Sequence, residues 1–369
     1  MSRASDLCDR FDYPEELATL LDDVARLAVE MLDPLAGIVL TPSISSGDFL
    51  WRSTESGVEF LSDIDGFVFC DAASDSIGRF RAALVDLSVG RGGPVFEIDL
   101  SFNSIAKLSR MPETFQMVET HLAGFELLGE GLLEKFPTVF EPGASRQALL
   151  LNLWKPLGAQ DADEWAQNAA RLLLDIPLLA TSEAGICRSG HRQRAEWFLA
   201  DRSGRFGSSE ILHNAVEAAL AARLSPPGEA ELLHGFIVPA LGDLLSRLDG
   251  KGKMPQTPDA ALVERLTAWL PRRPFRRRLG ELRTCLRRRT RVADDIAWLG
   301  QRKEAIGGAA LWGMLQIAYA NRPLQHETAG LIGLYARQAP LDPHREDFVE
   351  RAGDQYRGGF FELYPKRAR

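Results

Sequence analysis

The hydrophobic period changes part-way along this 369-residue chain, and that change limits the fold more than any other feature. Up to about residue 143, apolar residues fall in short runs of strand length with helical stretches between them. Residues 14–33 carry Leu17, Leu20, Leu21, Val24, Leu27 and Met31 at helical spacing. GIVLTPS (37–43) reads as a short buried strand ending at Pro42, FLSDIDGFVFCD (60–71) as a second and PVFEIDLSF (94–102) as a third. SDSIGRFRAALVDL (74–87) reads as a helix between the last two. From about residue 144 only the helical period remains, in segments such as ASRQALLLNLWKPL, DEWAQNAARLLLDIPLLA, SEILHNAVEAALAARL and DAALVERLTAWL. Breaks such as SPPGE (225–229) and GKGKMPQTP (250–258) separate several of them. The expected architecture is an α/β domain over 1–140, a mixed sheet with flanking helices, followed by an all-α domain over 141–369.

A formal net charge of −8 argues against a uniformly basic nucleic-acid binder. No apolar stretch approaches the roughly 20 residues of a membrane helix, so no membrane partner is expected. The polar, acidic N-terminal stretch lacks the apolar core of a signal peptide. Cys8, Cys70, Cys187 and Cys285 are far apart and form no CxxC pair. A reduced, cytoplasmic protein without a cysteine zinc site is the expectation.

Within SDIDGFVF (62–69), Asp63 and Asp65 are two residues apart, which on a strand puts them on one face. Adjacent carboxylates repel, and burying them unpaired is costly. A divalent cation relieves both problems, and Mg²⁺ favours a few carboxylates plus phosphate oxygens. Glu97 and Asp99 in FEIDL repeat the device. If the two strands are neighbours, three or four carboxylates converge, a geometry suited to phosphoryl transfer with two metal ions. The bland alternative is a pair of solvated loop-to-strand corners.

At this point the sequence resembles the nucleotidyltransferases of the DNA polymerase β type. Their pattern is Gly-Ser at a strand end, a polar loop, Asp-x-Asp in the next strand and a later third carboxylate, and TPSISSGDFLWRSTESGVEFLSDIDGFVF is similar to the first two parts. RMPETFQMVETHLAGFELLGEGLLEKFP (110–137) and ALLLNLWKPL (148–157) resemble bacterial members that carry a helical C-terminal domain. The resemblance implies that Asp63, Asp65 and Asp99 are catalytic and bind Mg²⁺ or Mn²⁺, with Glu97 the weaker candidate for the third position. It implies that Ser43 holds nucleotide phosphate, with Ser45, Ser46 and Gly47 completing the loop. It implies transfer of NMP from an NTP, ATP among them, to a hydroxyl or phosphate of a small-molecule or sugar acceptor, with release of pyrophosphate. Pro42 stands where the family has glycine, and Ser46 where a basic residue is common. Proline has no N–H to offer a phosphate. Those departures leave two alternatives beside the enzyme: a non-catalytic nucleotide-sensing or partner-binding member in a toxin–antitoxin or defence context, and an RNA-tailing enzyme.

The RNA alternative draws on PRRPFRRRLGELRTCLRRRTRV (271–292), where ten arginines from Arg272 to Arg291 could meet phosphates or form a solvated face that pairs with acidic neighbours. RSGHRQRAEW (188–197) reads as the start of a surface helix, or as a basic lining for a triphosphate cleft. GRGG (90–93) precedes a strand rather than a helix and reads as a tight turn. His121, His213, His234, His326 and His344 show no metal-ligand spacing and read as structural or exposed. Six tryptophans from Trp154 to Trp312 read as packing residues of the helical part.

Overall fold

The N-terminal strands alternate apolar residues to two faces, and both faces are covered. The computed structural model describes residues 2–55, 57–89, 96–140, 143–159, 162–224, 231–249, 255, 257–270, 301–336, 339, 341–345 and 347–363. It divides into two compact units, one of residues 1–141 with 185–194 and one of residues 142–184 with 195–369.

In the first unit, helices α1 (Arg3–Phe11) and α2 (Glu15–Met31) precede strand β1 (Leu35–Leu40) and a single helical turn α3 (Pro42–Ser45). A hairpin of β2 (Trp51–Thr54) and β3 (Gly57–Phe60) follows, then β4 (Ile64–Cys70), α4 (Ser74–Ser88), β5 (Ile98–Asn103), α5 (Phe115–Ala123) and β6 (Phe125–Leu128). The main sheet has the order β5-β4-β1-β6. It is mixed: β4 and β5 run parallel, and β1 is antiparallel to both β4 and β6. On one face, Ile38, Leu40, Val68, Cys70 and Leu100 join Leu17, Leu20, Leu21 and Val24 of α2 in one core. On the other, Val39, Phe67 and Phe69 pack with Met117 and Phe136. The leucine spacing of 14–33 is therefore a buried stripe.

The strands differ from expectation at their ends. β1 stops at Leu40, because Pro42, with its fixed φ, takes the first position of a helical turn. Of the expected strand over 60–71, only Ile64–Cys70 forms β4; Phe60 ends β3, and Leu61–Asp63 lie between the two. The expected strand at 94–102 begins only at Ile98, where the β4 pairing starts, so Glu97 precedes it.

Among its described residues the second unit contains helices and no strand. Its core is leucine-rich, with Leu172, Leu212, Leu241, Leu262 and Leu311 inaccessible or nearly so. Trp269 and Trp312 lie in that core, and Trp154, Trp165 and Trp197 pack against it. Trp298, Cys285, the GRGG turn and the arginine run 271–292 lie outside the described residues. No helix of the described residues is long and apolar enough to cross a membrane.

Candidate functional site

The parallel register of β4 and β5 decides where the carboxylates stand. Asp65 is the register partner of Asp99. Partners on adjacent strands point to the same face, so the two side chains are neighbours, on the face that carries Phe67. The antiparallel β1–β4 register ends at Leu40 opposite Gly66, and the next amide, that of Thr41, donates to the Asp65 carbonyl at 2.9 Å. Thr41, just past the end of β1, therefore stands in one row with Asp65 on β4 and Asp99 on β5. Asp99 is exposed, Asp65 half-buried and Thr41 buried.

Asp63 lies just before β4, not within it. Its Oδ1 accepts the Glu97 N–H at 3.2 Å, while the Ile64 N–H donates to the Glu97 carbonyl at 2.9 Å. Asp63 thus helps to align the starts of β4 and β5. Glu97 is exposed beside it. Among the described residues no group of three or more His, Cys, Asp or Glu side chains is gathered closely enough to hold a metal ion. The Asp65–Asp99 pair still has the donor chemistry that Mg²⁺ or Mn²⁺ takes: hard, anionic oxygens at the solvent boundary.

The serine loop is anchored more heavily than its sequence suggests. Ser43 Oγ lies 3.2 Å from Thr41 Oγ1. Ser45 Oγ donates to the Ala123 carbonyl at the end of α5. Ser46 Oγ donates to Asp48 Oδ2 at 3.4 Å. Gly47 has φ +80, a conformation that side chains rarely adopt, so the turn into Asp48 requires glycine. Tyr13 clamps the loop: its hydroxyl donates to the Ile44 carbonyl at 3.0 Å and accepts the Phe49 N–H at 3.4 Å. Burial, with the Asp48 charge nearby, pushes the Tyr13 phenol up to about 12, so it stays a donor.

Two acidic residues that sequence reasoning missed organise this end of the unit. Asp48 is buried, and its carboxylate accepts the amides of His191 and, at 3.3 Å, Arg192. It thereby caps the start of the helix His191–Ala200 from a distant part of the chain. Glu119 on α5 pairs with Arg194 and accepts the Gly190 N–H at 2.8 Å. The Arg194 and Glu119 side chains are only 5% and 13% exposed. Gly190 has φ +75, and a Cβ there would overlap Asp48 and Ser46. The segment 185–194 therefore docks on the first unit by its backbone and by Arg194. The helix start read at 188–197 is present, at His191, with Arg188 and Arg192 exposed, but Arg194 is buried. Burial, reinforced by Glu119 against the opposing Arg194, pushes the Cys187 thiol up to about 11. No local pattern announces Asp48 or Glu119, because their partners are far along the chain.

No protein-family model matches the chain, and no curated protein matches it.

Proposed function

We propose that the first unit is a metal-dependent nucleotidyltransferase that moves NMP from an NTP to a hydroxyl or phosphate of a small-molecule or sugar acceptor and releases pyrophosphate. One observation carries the reading: Asp65 and Asp99 are register partners, and the Thr41–Ser43 turn begins beside Asp65. Asp65 and Asp99 would hold Mg²⁺ or Mn²⁺, with Asp63 supporting them from the strand entry. Bound there, the cation would neutralise phosphate charge as it builds up in the transition state and favour ionisation of the acceptor hydroxyl. Ser43 would donate its hydroxyl to the β/γ-phosphates, a role made heavier by Pro42, which has no amide proton. Asp99, the most exposed of the three aspartates, would take the acceptor's proton.

A second reading has its own support. Ser45, Ser46 and an oxygen of Asp63 are all engaged in bonds that hold the fold. A phosphate approaching Ser46 would meet the Asp48 carboxylate. A member of the same fold that senses a nucleotide or binds a partner without catalysis is consistent with that arrangement. RNA tailing rests only on the arginines between Arg272 and Arg291. Incubation of the purified protein with Mg²⁺ and each labelled NTP, with and without cell extract, separates the readings. NMP transfer that disappears in Asp65→Asn supports the enzyme, whereas NTP binding without transfer by the unaltered protein supports the sensor.

A further inference from the structure

Five of the chain's histidines looked scattered along the sequence, but folding brings two of them together. His326, in the first turn of the helix Gln325–Ala336, and His344, in the loop before the helix Phe348–Leu363, have ring centroids 5.0 Å apart and planes at 77°. Both residues are exposed. We propose that His326 and His344 form a surface site for a divalent transition-metal ion of the zinc class, shared between the two imidazoles and completed by water.

The argument is geometric and chemical. Two imidazole nitrogens bonded at ~2.0–2.1 Å to one tetrahedral ion place their ring centroids about 5 Å apart. That is the observed separation. Imidazole selects zinc, copper or nickel over magnesium, so the pair differs in kind from the carboxylates of the first unit. The rings meet edge to face, and an exposed pair of this kind removes little apolar surface from water. Asp342 Oδ1 accepts the backbone N–H of His344 at 3.0 Å, which holds the loop that presents the ring. No third His, Cys, Asp or Glu completes a cluster among the described residues, so the remaining positions belong to water. An ion held there would fasten the 341–345 loop to the start of the helix Gln325–Ala336.

The test uses the full chain without an affinity tag, titrated calorimetrically with Zn²⁺ in excess Mg²⁺, which keeps the carboxylates occupied. Wild type should bind one Zn²⁺ per chain. His326→Ala and His344→Ala should each weaken binding by about 100-fold or more, since losing a ligand costs at least as much as losing one of its outer supports. Amide exchange over 341–345 should slow with Zn²⁺ in wild type and in neither variant. Both rings are exposed, so both variants should keep the wild-type circular dichroism. An absence of Zn²⁺ binding would mean an edge-to-face ring pair only, and would overturn the proposal. Zn²⁺ binding that survives either substitution would overturn it as well, by placing the ion on thiols or on other residues.

Discussion

Asp65 and Asp99 are register partners on neighbouring parallel strands, with both side chains on the sheet face that carries Phe67. Adjacent carboxylates repel, and a bound cation would relieve that repulsion. Asp65→Asn should abolish NMP transfer while preserving the fold. It should leave the thermal midpoint in a chelator unchanged or slightly raised, and should remove the shift that Mg²⁺ gives wild type. Transfer assays and thermal unfolding with and without Mg²⁺ read both effects. Full activity in Asp65→Asn would remove the catalytic assignment.

Asp48 is a helix cap supplied from far away in sequence. Asp48→Ala leaves the His191 and Arg192 amides without their acceptor and should cost about 1–2 kcal/mol. Gly190→Ala should be at least as damaging, through its positive φ and the overlap with Asp48. Hydrogen exchange should show both losses concentrated in 185–194. A uniform loss across the first unit would show that the segment is not a separate point of attachment.

The Glu119–Arg194 pair is almost fully out of water. Glu119→Gln leaves the guanidinium buried beside a neutral partner and should cost roughly 3 kcal/mol. The same change removes one of the two influences that hold the Cys187 thiol protonated, the lesser one, so alkylation of Cys187 at mildly alkaline pH should quicken modestly. Denaturant titration reads the first effect, and mass-resolved alkylation reads the second.

His213 is buried in the second unit and stacks on Phe198 with centroids 4.7 Å apart. Burial, helped by Arg202 and opposed by Glu217, pushes its pKa below the ordinary 6.5. The unfolded chain therefore binds the proton more readily than the folded one. The stability tied to neutral His213 is complete above 6.5 and declines as pH falls below it. His213→Leu should flatten that acid limb. Denaturation curves for both proteins at about pH 5.5 and about pH 7.5 check the slope. Equal slopes would show that His213 is not the titrating group.

The arginine run can be tested through the salt dependence of RNA binding. If Arg287, Arg288 and Arg289 meet RNA phosphates, replacing all three with Gln should reduce the salt slope of RNA affinity by about two units. A solvated face that forms ion pairs predicts no change in slope. Affinities measured at several salt concentrations decide between them.

What the sequence made legible was periodic. Leu17, Leu20, Leu21 and Val24 are buried because their spacing builds one stripe, and the period of two in GIVL and FVF became two faces of one sheet. Strand ends were less legible, since they depend on partners. Asp63 looked like part of a strand, yet β4 starts at Ile64, where pairing with the residues around Ile98 begins. β6 was missed because FELL is only four residues long and follows a helical run directly. Asp48, Glu119 and the His326–His344 pair carry no local signature, because each depends on a partner that only folding brings near.

The docking of 185–194 also sets an order of events during synthesis. The binding partners of Asp48 and Glu119 are encoded after a stretch of helical unit two, so the first unit cannot close when residue 141 leaves the ribosome. Two carboxylates destined for burial must wait in water for a segment still to be made. The usual vectorial sequence, in which an N-terminal domain folds before the next begins, should give way here to an interleaved one. A ribosome-bound chain halted between the two segments should hold the sheet but not the clasp.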